Sequence, residues 1–120
     1  MFPRAGGARW KALKYQAMAD GILDAAVGRR MEAGKPIEAA RDAFMARMKA
    51  AVARTVDELE KEPPHKIVDI GSLSVACALG YLDFRYAAEP WRETHPAIAA
   101  WFEAFGETPG IARTVPKDPV

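Results

Sequence analysis

Asp69-Ile70-Gly71-Ser72-Leu73-Ser74-Val75-Ala76-Cys77-Ala78-Leu79-Gly80-Tyr81-Leu82-Asp83-Phe84-Arg85 is the stretch whose reading decides the fold. From Val75 onward it is a short, almost wholly apolar run, and its opening residues supply an amino-terminal cap. Asp69 followed three residues later by Ser72 fits a capping box, in which the first side chain accepts from the third helical N–H and the second reaches back. A helix that is apolar on every side is expected to be enclosed by other helices on every side. The pattern therefore predicts a chain built around one central, buried helix, with Cys77 packed inside it.

Size and charge narrow the classes. With 120 residues, half of them apolar, the chain is near the usual size of one domain and long enough to bury one core. Seventeen basic against sixteen acidic residues leave a net charge of +1, which excludes the sustained positive field that nucleic-acid or anionic-membrane binding uses. A single cysteine forms no internal disulfide and suits a reducing cytoplasm. The amino terminus has no apolar run of signal-peptide length. The window from Ile67 to Tyr86 carries Asp69, Asp83, Arg85 and internal glycines, so it reads as a core helix and not a membrane span.

Outward from that stretch, the remaining segments also read as helices. Ala8 to about Ala33 favours helix throughout, with only Gly21 and Gly28 interrupting. At 100° per residue, Trp10, Leu13, Ala17, Gly21, Gly28 and Met31 share one side, while Ala12, Tyr15, Ala19, Ile22, Leu23 and Ala26 share another. Two apolar sides imply two partners. The glycines each cost about 1 kcal/mol relative to alanine in a helix, which makes sense where a backbone or ligand approaches closely. Gly34 is expected to stop this helix and Pro36 to open the next, giving an antiparallel hairpin. The second helix, Ile37 to about Glu60, carries Phe44, Met48, Val52, Thr55, Val56 and Leu59 along one arc. Pro63-Pro64 breaks the chain before the central helix. After an irregular link from Tyr86 to Thr94, His95-Pro96 opens an amphipathic helix bearing Ile98, Trp101, Phe102 and Phe105. Thr108-Pro109-Gly110 starts a last short turn through Arg113. No segment has the period of a strand, so the expected fold is all-α, about five helices around the capped core helix.

The capped apolar helix resembles the sixth helix in the carboxy-terminal, all-helical domain of cytosolic glutathione S-transferases, with the two capping residue types exchanged. The order of elements is similar along essentially all 120 residues, and two segments carry the likeness: Ala19-Asp20-Gly21-Ile22-Leu23-Asp24 and Ser74 to Arg85. The resemblance implies the helical half of an enzyme that joins glutathione, its co-substrate, to hydrophobic electrophiles. In that family a thioredoxin-like amino-terminal domain supplies the thiol-activating residue. The expectation for this chain alone is accordingly no catalytic residue, no bound cofactor and no conjugation. Its expected partners are a thioredoxin-like domain or a second copy in a homodimer.

The same resemblance assigns roles by position. In Pi-class members a similar Asp-Gly-x-x-Asp run places its second carboxylate across the dimer on glutathione, which makes Asp24, with Asp20 beside it, the candidate glutathione contact. Val27, Arg30 and Met31 stand where the family lines its electrophile pocket. The residues read without the family allow a plainer account: Asp20 and Asp24 paired to basic residues of a neighbouring helix, Val27 and Met31 as core, and Arg30 solvated. Asp83 is placed to pair with Arg85 or Arg92, and His65 and His95, separated by the central helix, lack the spacing of metal ligands. Two other functions compete with the transferase reading. One is a non-catalytic interaction module reusing the same helical domain; the other is a helical binder of small hydrophobic ligands.

Overall fold

The computed structural model describes residues 6–65 and 68–108. They form four helices, α1 (Gly6–Ala33), α2 (Ala39–Lys61), α3 (Ile70–Arg85) and α4 (Pro96–Gly106), and no strand. The all-α expectation holds with the buried capped helix in place. The fifth turn expected from Thr108 to Arg113 falls, apart from Thr108, outside the described residues. One boundary moves: α2 starts at Ala39 after Glu38, so Pro36 precedes the cap and does not occupy the first turn. No helix among the described residues is long and apolar enough to cross a membrane.

Local chemistry sets the start of α3. The Ser72 N–H donates to Asp69 Oδ1 at 2.9 Å, and the Asp69 N–H donates to Ser72 Oγ at 3.0 Å, so two otherwise orphaned donors are satisfied reciprocally. This lets Ser72, 2% exposed, sit in the interior as a satisfied polar group. One residue earlier, the backbone of Gly71 lies against that of Ala12 in α1. A Cβ at Gly71 would stand 2.6 Å from the Ala12 carbonyl oxygen and 2.8 Å from its Cα.

From that crossing α3 runs alongside α1 in the same direction. Its far end is held where the Tyr86 hydroxyl donates to the Ala26 carbonyl at 2.7 Å. Ala12 to Ala26 spans about 21 Å of helix, and Gly71 to Tyr86 about 22 Å, so the two contacts agree with parallel rods. α2 packs on another side of α1, pinned where the Tyr15 hydroxyl donates to the Glu62 carbonyl at 2.7 Å. The predicted side of α1 bearing Ala12, Tyr15, Ala19, Ile22 and Ala26 is the buried one.

Enclosure of α3 is less complete than its composition suggests. Val75, Ala78 and Leu79 are fully buried, yet among the described helices only α1 and α4 bring their backbones close to α3. Two neighbours do not surround a rod. Cys77 consequently lies exposed, contrary to its expected place in the core, and Leu73, Tyr81 and Phe84 are only partly covered.

α4 carries no cap of its own. Glu60, on α2, provides it from outside: its two carboxylate oxygens accept from the Ala97 and Ile98 N–H groups at 3.0 and 2.8 Å. Trp101 and Phe105 then pack edge to face at 4.9 Å, and the Trp101 indole donates to the His65 carbonyl. Helix-interior glycine normally gains about 1 kcal/mol on replacement by alanine. Gly71→Ala is expected instead to destabilise the fold by about 1–3 kcal/mol through overpacking. Urea titration checks this, since an unchanged or raised midpoint would contradict the close backbone approach.

Candidate functional site

The outward side of α1 carries the residues singled out in the sequence. Trp10 and Met31 are 75% and 69% exposed, Val27 is 38% exposed, and Asp20, Asp24 and Arg30 are also at the surface. Asp20, Asp24, Val27 and Met31 fall within about 60° of one another around the helix, with Arg30 displaced from that arc. Neither aspartate has an ion-pair partner among the described residues, so the expected pairing within the chain is not found. The two glycines differ as well. Gly28 faces the Phe44 ring, 3.6 Å from where a Cβ would be, whereas Gly21 looks onto open space.

A second constellation lies on the other side of α1. A cavity of about 350 Å³ opens between α1, α2, the end of α3 and the 86–95 link. Its floor is apolar, built from Ala26, Val52, Val56, Leu82 and Trp91. None of Asp20, Asp24, Val27, Arg30 or Met31 lines it.

Charged groups stand at two ends of this cavity. At one, the Arg29 guanidinium grips Glu89 through both terminal nitrogens at 2.8 and 2.6 Å and lies 4.7 Å from the centre of the Tyr86 ring. Lys49 reaches the same carboxylate at 3.6 Å. The hydrogen bond to Arg29 is the main reason the Glu89 carboxyl titrates below its ordinary range, with burial opposing it.

At the other end, both nitrogens of His95 face acceptors. Nδ1 is 2.8 Å from the Trp91 carbonyl and from the Thr94 hydroxyl, and Nε2 is 2.6 Å from Asp57 Oδ1. The Trp91 carbonyl and the Asp57 carboxylate both accept only, an arrangement that favours the imidazolium, with both N–H groups donating. Burial is the largest single influence and disfavours that charge. The bonds to Asp57 and Trp91, with the charges of Asp57 and Glu60, together outweigh it, so the pKa lies above 6.5.

These contacts cross 38 residues for His95–Asp57 and 60 for Arg29–Glu89, and no local pattern announces them. Asp83 was partly readable: of its two expected partners Arg92 is the one that binds, at 2.7 Å, while the Trp91 indole donates to its other oxygen. Arg92 also pairs with Glu103.

Parallel α1 and α3, an antiparallel α1–α2 hairpin and a capped central helix define the all-helical half of a glutathione-transferase fold. Residues 38–104 match the family described as Glutathione S-transferase, C-terminal domain, and the chain belongs to that family. A glutathione transferase family member from Pseudomonas fluorescens Pf-5, solved with bound S-(propanoic acid)-glutathione, is 38% identical with a TM-score of 0.87, over 98% of this chain and 61% of that one. A glutathione S-transferase from Methylobacillus flagellatus KT with glutathione bound is 26% identical, TM-score 0.83, over 97% of this chain and 60% of its own. The uncharacterized GST-like protein YibF of Escherichia coli K12 is 29% identical over 97% of this chain and 60% of its own length. The chain thus spans about three-fifths of the relatives it matches, in a fold whose close relatives hold glutathione.

The imidazolium of His95 links stability to pH. Its folded pKa is raised above its unfolded value, so the stabilisation is fully present below about pH 6.5 and is lost as pH rises through the folded value. With Asp57 largely exposed, the expected loss is about 0.5–1 kcal/mol. Denaturant midpoints measured from pH 6 to 9 should fall for the unmodified chain and flatten for His95→Gln. A midpoint that rises over that interval would contradict the assignment.

Proposed function

We propose that the 120 residues act as the carboxy-terminal domain of a cytoplasmic glutathione S-transferase-like protein, shaping the electrophile site and the subunit contact. The observation that carries this reading is the outward stripe of α1, where exposed apolar side chains flank two carboxylates without an ion-pair partner among the described residues. Exposed tryptophan and methionine are costly to leave in water and suit a covering surface. That surface is a thioredoxin-like domain, a second copy of the chain, or both.

In this scheme Asp24 accepts from the ammonium of glutathione bound by the other subunit, with Asp20 adding to the local negative potential. Val27 and Met31 contact the hydrophobic electrophile, and Arg30 stands at the edge of that contact. The thiol-activating group comes from outside these residues, so the chain alone does not conjugate. The same stripe also favours a second reading, an interaction module in which the covering surface is another protein and no glutathione is used.

The test joins this chain to the amino-terminal part of the Pseudomonas fluorescens relative. The chain alone should show no glutathione-dependent turnover of a general aromatic electrophile, and the chimera should show it. In the chimera, Asp24→Asn should raise KM for glutathione about tenfold through loss of a charge-assisted bond, with kcat little changed, and Met31→Ala should raise KM for the electrophile. A folded but inert chimera would favour the interaction module. Turnover by the chain alone would refute the division of labour.

A further inference from the structure

The cavity on the side of α1 away from Asp24 and Met31 is not used by the transferase reading. We propose that it binds a small apolar carboxylic acid of naphthoate size, with the carboxylate on Lys49 beside Arg29 and the ring system against Val52, Val56 and Trp91.

Size comes first. About 350 Å³ lies within the range of small-molecule sites, roughly 300–1,000 Å³, and has room for a bicyclic ring system. The surroundings set the polarity. Three helices and the link contribute alkyl and aromatic groups to the walls, among them Ala26, Val52, Val56, Leu82 and Trp91. Transfer of an aromatic ring from water onto Val52, Val56 and Trp91 is favourable in proportion to the area covered.

Charge selects an acid. At the Tyr86 end two cations, Arg29 and Lys49, share the single carboxylate of Glu89. Arg29 holds both of its oxygens closely, leaving Lys49 at 3.6 Å, with its side chain 60% exposed. Arg30 adds its positive charge near Tyr86. The opposite end has no positive surplus, since His95 there is held by Asp57 with Glu60 also close, and neither carboxylate lines the cavity. An anion therefore finds its partner at Lys49, where an exposed side chain moves a short distance without leaving a buried charge behind. A neutral ligand gains the apolar contacts alone, and an amine meets Lys49 and Arg29 with like charge.

The inference is separable from the transferase reading because every residue that lines the cavity lies off the outward stripe, and Arg30 enters only through its charge. Its test is a ¹H–¹⁵N NMR titration of the full chain with 2-naphthoate and with the neutral 2-naphthalenemethanol. Saturable shifts are expected at the Val52 and Val56 amides and the Trp91 indole, with the acid binding more tightly than the alcohol. Lys49→Glu, at an exposed position, should weaken the acid about tenfold and leave the alcohol within about twofold. Ala53→Trp, which fills the cavity from a surface position on α2, should remove both while the denaturation midpoint shows a folded chain; if that variant fails to fold, the Lys49→Glu comparison decides alone. Equal binding of acid and alcohol, indifference of the acid to Lys49→Glu, shifts centred on Trp10 and Met31, or no saturable shift at all would each overturn the proposal. A failed glutathione chimera would leave these outcomes untouched.

Discussion

The backbone contact between Gly71 and Ala12 governs the arrangement of this chain. With no side chain at Gly71, the first turn of α3 touches α1 directly, and Val75, Ala78, Leu79 and Leu82 follow along the shared seam. The adjoining capping box makes that approach affordable, since a helix end brought so close to another backbone would otherwise strand N–H groups away from water. Geometry and satisfaction of donors are thus two aspects of one junction. At the other end of the seam, Tyr86 on Ala26 fixes the length over which the rods stay parallel.

The backbones of α2 and α3 do not approach each other closely, and the space left between them is closed by the 86–95 link. That link has little regular structure, yet it holds three elements together. Glu89 ties it to α1 and α2, Trp91 and Arg92 tie it to Asp83, and His95 ties it to Asp57. Each ion pair is modest by itself, being partly exposed. Their joint effect is positional, because they hold the link across the mouth of a cavity that helix packing alone leaves open.

The chain consequently presents two different surfaces of α1. One faces outward and bears exposed apolar side chains beside carboxylates that have no ion-pair partner among the described residues. The other is the inner wall of a small cavity whose ends differ in charge balance. The second follows from side-chain placement in this chain.

Helix content, caps and the inward side of α1 were legible because they depend on neighbours within about four residues. Asp69 and Ser72 identify each other, Pro96 marks the start of α4, and the 3.6-residue period sorts Tyr15, Ala19 and Ile22 from Asp20 and Asp24. What covers each apolar side was not legible. Cys77 is exposed and Trp10 faces outward, although both lie on apolar sides, because hydropathy records a preference for burial and says nothing about how many neighbours a rod will find. The His95 imidazolium, the external cap from Glu60 and the sharing of Glu89 join residues 37 to 60 positions apart. Local sequence determined which segments are helices and where they stop, since backbone hydrogen bonds and caps are satisfied nearby. Only the tertiary structure decided the crossing distances, the charges that meet and the space left empty, since these arise where distant segments are brought within a few ångströms.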